Sequence, residues 1–482
     1  MKTKIKFQLI FLLGILLVIA VRCKKDDIPV DEQKEQASAI TLKVNTFIKN
    51  VMTDVYLWYD QMPSIDIKYE LDSKEYFYKL LYTDDKWSFI TDDIAAFENS
   101  LQGVETTYGY SLAFGMFTSS SGAPTGTYFA VVEYVYPGTP AAKTGFTRGD
   151  IIVKINGEDI TESNYINLFT SSSVSLTKGI LVSGGISQGA TVALVAEKLN
   201  LDPVLTYKII ERGGHKIGYL MYLQYIASYN STSLLTALQY FAANNITDLV
   251  IDLRYNPGGY TSAAQYLCSS IAPANIVTDM RRLVTFQWND KYQNYWTANQ
   301  RYDQLSVQFD ATVPVKLGLS KVYFLTGYGT ASASELTICG LEPYMDVKII
   351  GDTTAGKYTA SITLTPADVY SRESDYADFK DWGLQPIVIR YANSEGLTNF
   401  KDGFAPDFYV RDELLPACPL GDITEPLLKK AVEDITGEII TSGKKSAPPA
   451  GFDIAFRRSS KFDNQKRNLF IDTPPELKGN LK

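Results

Sequence analysis

Apolar positions along this chain change their period three times, and each change predicts a different kind of element. Ile40, Val44, Phe47, Ile48, Val51, Met52 and Val55 recur at helical spacing, which predicts a helix with one buried face. Asp72 to Tyr82 and Asp92 to Leu101 read as further short helices, so this stretch forms a small helical domain whose aromatic stripe is core. From about 104 to 200 the pattern shortens to alternating strands, with Phe117 to Pro124 as a loop between two of them. From about 205 to 435 strands alternate with helices. Thr247 to Leu253 is a buried strand followed by Asn256-Pro257-Gly258-Gly259 and a helix through Ala263 to Ile271. Val322 to Leu325 leads into a helix opening near Ser332, and Asp346 to Ile350 ends at a loop holding Lys357. This βαβ pattern makes loops converge at strand ends. Beyond about 440 the polar Gly-Lys-Lys-Ser-Ala-Pro-Pro run predicts a poorly ordered tail.

The amino terminus sets the compartment. A basic opening, Met1 to Lys6, precedes an apolar run from Phe7 to Val21, broken only by Gln8 and Gly14. That is the length of a signal segment and too short to span a bilayer comfortably. Cys23 and the acidic Asp26-Asp27 follow, resembling the processing site of a bacterial outer-membrane lipoprotein, with Cys23 as the lipid attachment point and a membrane partner. Arg22 replaces the small residue expected before such a cysteine, and cleavage after Ala20 is the alternative. The expected location is the cell envelope, periplasmic or surface-facing. Residues 28 to about 38 read as a tether.

Composition adds exclusions. With 46 basic and 54 acidic residues, net charge −8, the chain carries no footprint for nucleic acid. Cys268, Cys339 and Cys418 are an odd number with no CxxC spacing: either one disulfide forms and a thiol remains, or all three are buried small apolar residues. The sole histidine, His215, lies in a turn before an apolar strand and reads as solvated. A histidine-based zinc site is disfavoured on this reading, and a Ser-His-Asp triad would have to use that one residue.

Val135 to Gly157 contains a proline-started helical turn, a glycine turn, Gly149-Asp150-Ile151-Ile152 and an Asn156-Gly157 hairpin. The string resembles a PDZ domain, which captures carboxyl termini by adding the peptide as a strand. By that resemblance the carboxylate-holding loop is Tyr108-Gly109-Tyr110-Ser111-Leu112.

The chemistry centres on Ser332 and Lys357. A serine hydroxyl is a poor nucleophile unless a neighbour takes its proton, and a desolvated neutral lysine can do so. Gly351-x4-Gly356-Lys357 mimics a phosphate loop, but position 358 is Tyr and the following residues read as a strand, so nucleotide binding is rejected. Ser332-Ala333-Ser334-Glu335 is a capping box. A helix start also offers free amides to an oxyanion, so Ser332 can cap and react. For Lys357 to act near pH 7 its pKa must fall from about 10.4 by roughly three pH units, about 4 kcal/mol against the charged form. Only burial achieves that.

Tyr56 to Tyr59, Asp85 to Phe89, the PDZ string, Asp252 to Gly259, the Ser332 and Lys357 motifs and Asp402 to Asp407 together resemble the carboxyl-terminal processing (tail-specific) serine peptidase family, in family order from about 40 to 430. The resemblance implies a multidomain α+β protein: signal peptide 1–23, tether and helical domain 24–103, PDZ-like domain 104–200, an α/β Clp-protease/crotonase-like core 201–435, and a polar tail 436–482. It implies Ser332 as nucleophile, Lys357 as general base and amides of Gly258 or Gly259 with Ala333 as oxyanion hole. Protein or peptide substrates are implied, and no metal or organic cofactor. Many members carry a glutamine four residues after the lysine; here it is Ser361, which either orients Lys357 more weakly or is replaced by a group elsewhere. Two other readings are a catalytically weak or inactive peptide-binding envelope lipoprotein and, through the crotonase relation, an acyl-CoA enzyme.

Overall fold

The first predicted helix runs Ala39–Val55, started by the Ser38 hydroxyl, which accepts the Thr41 amide. Its buried stripe is Val44, Phe47, Ile48, Val51, Met52 and Val55. Ile40 was expected on that face but is 40% exposed, because it sits in the first turn beyond the packed surface. Two short helices follow, Ser73–Lys79 and Ile94–Leu101, capped by Asp72 and Asp93. The computed structural model describes residues 34–118, 123–182, 185–441, 452–457 and 469–477. Cys23 and the apolar run before it lie outside these residues. No helix among the described residues is long and apolar enough to cross a membrane.

The core is a six-stranded sheet in the order Val204–Arg212, His215–Tyr222, Asp248–Asp252, Lys321–Thr326, Asp346–Gly351, Phe408–Tyr409. Only the first pair is antiparallel. Alternate residues feed opposite faces, as a sheet buried on both sides requires. Leu249 and Ile251 pack with Leu234, Leu238 and Phe241 of the helix Ser233–Ala243. Val250 packs on the other side with Leu427, Leu428 and Val432 of the helix Pro426–Thr436. Parallel strands place their carboxyl ends at one edge, and there the chain leaves in long loops.

Two further sheets flank this edge. One has the order Phe452–Arg457, Tyr110–Thr118, Pro124–Val135, Ile151–Ile155, Ser173–Val182, Gly185–Val195. Asn156 and Gly157 both take positive φ, 52° and 85°, as the tight hairpin read from the sequence demands. The other runs Gly259–Tyr260, Leu469–Phe470, Thr359–Ser361, Ile387–Asn393, Arg282–Trp288, Ser306–Gln308. Parts of the tail expected to be poorly ordered therefore complete both sheets. For the second of these sheets the reason is apolar burial: Phe470, Ile471 and Leu477 are 2%, 8% and 0% exposed. No disulfide is present among the described residues; Cys268 and Cys339 are buried, and burial pushes both thiols up to about 12.

Candidate active site

Three loops leave the carboxyl ends of Asp248–Asp252, Lys321–Thr326 and Asp346–Gly351, and they are tied together before any side chain chemistry begins. The Thr330 hydroxyl donates to Leu253 O at 2.7 Å, and the Ala331 amide to Asn256 O at 3.1 Å. The Ala355 amide donates to Thr330 O at 2.9 Å. The three loops therefore move as one unit.

Ser332 caps the helix Ala333–Leu341 at φ 65°, ψ −113°. A residue with a β-carbon reaches positive φ only under strain, about 1–3 kcal/mol, held by its surroundings. Its Oγ is buried and has no hydrogen-bond partner among the described residues. Gly258, at φ 109°, lies directly over it: a β-carbon there would stand 2.6 Å from Ser332 Cβ and 2.9 Å from the Ala333 nitrogen. Only glycine keeps that approach open.

Lys357 is fully buried, with Nζ 5.3 Å from the centre of the Trp87 ring. Loss of water holds its pKa well below the ordinary lysine range, while Asp85 and then Glu335 pull upward without cancelling that effect. Asp85 is itself fixed by the Tyr56 hydroxyl at 2.8 Å and the Trp87 and Ser88 amides at 2.9 Å. This explains why the Tyr56 and Asp85 segments of the helical domain belong with the core.

Ser332 Oγ and Lys357 Nζ are not hydrogen-bonded to each other. What joins these residues is their backbone, twice. Glu335 Oε2 accepts both the Ser332 amide and the Lys357 amide at 2.8 Å, so the two nitrogens lie within twice that distance. Oε1 takes the Gly356 amide and the Thr354 hydroxyl, each at 2.6 Å. Burial pushes this carboxyl above the ordinary glutamate range, and the four donors pull against that without cancelling it. On the carbonyl side, the Tyr391 hydroxyl lies 3.0 Å from Lys357 O and 3.3 Å from Ser332 O. Sequence reasoning had Glu335 only as the far end of a capping box and missed Tyr391 altogether.

The remaining candidates fall as follows. The Ser361 hydroxyl donates to Gln385 Oε1 at 3.0 Å, and the Gln385 amide donates to the Thr363 hydroxyl. An amide side chain thus reaches position 361 from a neighbouring strand, 24 positions along the chain. The Gly258 amide donates to Asn256 Oδ1 at 2.9 Å. Gly259 pairs on one side with Tyr225 through the Gly258 carbonyl and the Tyr260 amide, so its own amide turns to the opposite side, toward Leu469–Phe470. Ala333 opens the helix. Tyr108, Gly109, Tyr110, Ser111 and Leu112 enter the strand Tyr110–Thr118. There the Gly109 amide meets Thr107 Oγ1 at 3.2 Å and the Ser111 hydroxyl donates to Glu133 at 2.8 Å.

His215 is not in this site. It stands at the opposite, amino-terminal edge of the parallel strands, where Nδ1 lies 2.7 Å from Asp248. The strand Asp248–Asp252 between it and the loops spans roughly 16 Å. It is half-exposed but hydrogen-bonded to Asp248, where the sequence read it as merely solvated.

A buried hub links the flanking domain to the Asn256 turn. Arg148 donates to the Tyr255 hydroxyl at 2.5 Å and to Asp412 at 2.6 Å, and Arg254 binds Glu425 at 2.7 and 2.9 Å.

Three parts of the chain match known families. Residues 43–89 match the Peptidase S41 N-terminal domain, residues 131–176 a PDZ domain, and residues 216–410 Peptidase family S41. The chain thus carries a peptidase family S41 core, a serine peptidase fold, together with a PDZ domain. It is 23% identical over 319 residues to the carboxyl-terminal-processing protease of Synechocystis sp., covering 65% of this chain and 66% of that protein. It is 26% identical over 296 residues to the chloroplastic C-terminal processing peptidase of Tetradesmus obliquus, covering 58% and 56%. The chain thus matches less than two thirds of the length of either relative. Among solved structures, a Bacteroides fragilis protein described as an S41 protease superposes with TM-score 0.66 at 29% identity, covering 81% of this chain and 97% of that one. The PDZ match begins after Tyr108 to Leu112, which are joined to that domain by the pairing of Tyr110–Thr118 with Pro124–Val135 and by the Tyr136 and Ala141 amides, which donate to Gly109 O and Tyr108 O.

Proposed function

We propose that this protein is a serine endopeptidase in which Ser332 attacks a peptide carbonyl and Lys357 takes the hydroxyl proton. The observation that carries the proposal is the double backbone clamp of Glu335 and Tyr391. It ties a strained, unpaired serine to a buried lysine whose charged form is disfavoured. In the first step the Ser332 O–H proton passes to neutral Lys357 as the Oγ–carbon bond forms. Lys357 then gives that proton to the leaving amine as the peptide C–N bond breaks, and water releases the acyl-enzyme by the same exchange. The Ala333 amide, at the positive end of its helix, faces the developing oxyanion; an amide of the Gly258–Gly259 turn completes the hole.

Ser361, held by Gln385, is the proposed support for the lysine's position. Tyr108 to Leu112 is the proposed seat for a substrate's carboxyl end, so that the PDZ domain presents protein or peptide tails to the dyad. We place the protein in the cell envelope, exported and anchored through Cys23.

The test is cleavage of an unstructured protein together with labelling by a serine-directed phosphonate. Ser332→Ala should lose both, with cleavage down by at least about a thousandfold, and Ser332→Ala/Lys357→Ala should be little worse than either single change. Cleavage and labelling that persist in Ser332→Ala would overturn the assignment.

A further inference from the structure

The strand Tyr110–Thr118 has one neighbour from the PDZ domain, Pro124–Val135; its other side is covered by Phe452–Arg457. The pairing is antiparallel, from Phe452 opposite Phe117 to Arg457 opposite Ala113, with an irregularity between Ile454 and Phe456. Uncovered, that side would be an edge of unpaired amides and carbonyls, a template for any extended chain. It is the side where a peptide adds as a strand beside the Tyr108–Leu112 loop. The antiparallel sense carries the tail toward that loop, since its Arg457 end stands opposite Ala113, the residue after Leu112.

A second observation comes from the same tail. Leu469–Phe470 inserts between Gly259–Tyr260 and Thr359–Ser361, parallel to both. The Thr261 hydroxyl donates to Phe470 O at 2.9 Å, and the Ile471 amide to Ser361 O at 3.2 Å. One wall follows the Gly258 turn over Ser332 and the other follows Lys357. An extended segment therefore already lies between the two walls of the candidate site, and the Gly259 amide is turned toward it.

We propose that the carboxyl-terminal tail is this protein's own peptide ligand: residues 452–457 fill the PDZ edge, and an incoming carboxyl end must displace them to bind. The proposal rests on the peptidase and PDZ reading above. A tail seated nine-tenths of the time weakens the apparent affinity for an outside peptide about tenfold.

The test compares the full chain with Asp453→Pro/Ile454→Pro. One of any two consecutive strand residues turns its amide to the partner, so the pair removes the pairing whichever one faces it. The buried Phe470, Ile471 and Leu477 are left in place. In the unmodified chain, amides of Ala113 to Phe117 should exchange with deuterium slowly, as those of a central strand do. In the double variant those of them that face the tail should exchange fast while those bonded to Pro124–Val135 stay protected, a labelled peptide with a free carboxyl end should bind about tenfold more tightly, and KM for an unstructured protein should fall with kcat unchanged. Adding a synthetic peptide of residues 451–458 should raise KM again. Fast exchange at 113–117 in the unmodified chain, or unchanged exchange and peptide affinity in the variant, overturns the proposal. If exchange and affinity respond but neither protein shows Ser332-dependent cleavage, the tail assignment stands and the peptidase reading falls. Ser332-dependent cleavage with the same KM in both proteins leaves the peptidase reading standing and removes the tail from it.

Discussion

Replacing Lys357 by methionine should stabilise the fold while abolishing its chemistry. The amine is fully buried, and its charged form is disfavoured by loss of water. An unfolded lysine is charged at pH 7, so folding has to strip a proton from it, at about 1.4 kcal/mol for each pH unit between the working pH and the ordinary value near 10.4. Full neutrality at pH 7 therefore costs the native state about 5 kcal/mol. Methionine matches the length and flexibility of the side chain and carries no such cost. The lost contact with the Trp87 ring, 5.3 Å from Nζ, returns about 0.5–2 kcal/mol to the wild type only in its charged state. Urea unfolding at pH 7 should show Lys357→Met more stable by about 2–4 kcal/mol, with cleavage reduced by at least a hundredfold, about the lower limit for loss of a general base. The sign of the pH dependence is decisive. Between the lowered native value and 10.4 the unfolded wild type binds more protons than the native one, so wild-type stability rises with pH. The variant lacks that slope, and its advantage should shrink steadily toward pH 10. A variant destabilised by the same amount at pH 7 and pH 10 would show that Lys357 serves the fold as a charged partner, and the base assignment would fail.

Wild-type cleavage should rise with pH through an apparent value well below 10, and His215→Ala should leave that profile unchanged, since His215 pairs with Asp248 at the far edge of the sheet; loss of the neutral-range limb in His215→Ala would make histidine the base. Gly258→Ala should lose cleavage by at least a hundredfold and about 1–3 kcal/mol of stability, because its β-carbon would meet Ser332 Cβ at 2.6 Å at a φ of 109°; urea unfolding and cleavage rates check both. With the tail strand disabled by Asp453→Pro/Ile454→Pro, a peptide with a free carboxyl end should bind the full chain about 1.5–3 kcal/mol better than its amidated twin. Equal titration calorimetry for the two would mean that Tyr108 to Leu112 does not hold a carboxylate.

Helical and strand periods in the sequence were strong where one face is buried over several turns or a whole strand. Ala39–Val55 and Asp248–Asp252 lie within a residue or so of their predicted bounds. Ser332 and Lys357 were legible because each sits in a local motif, a capping box and a glycine turn after a strand. What organises them was not legible. Tyr391 reaches the Ser332 carbonyl from 59 positions away, and Gln385 reaches Ser361 from 24. Neither residue belongs to a motif, since a hydroxyl or amide in a strand has no local signature of its distant partner. The positive φ of Ser332 was equally hidden, because sequence assigns such angles to glycine first. Phe452–Arg457 and Leu469–Phe470 were lost in a polar tail because strands of six and two residues in a charged background show too little alternation to register.

Ser332 and Lys357 have a shared consequence under mutation and selection. One holds a conformation that glycine would adopt freely, and the other holds an amine where a hydrocarbon would fit better. Each lowers the stability of the chain that carries it, so random change at either position meets a slope toward a tougher and inert protein. A lineage kept only for capturing peptides would feel no counterweight and would slide down that slope. On the proposed dyad, keeping both residues in the same clamp is the cost that bond cleavage, and not peptide capture alone, would impose on this chain.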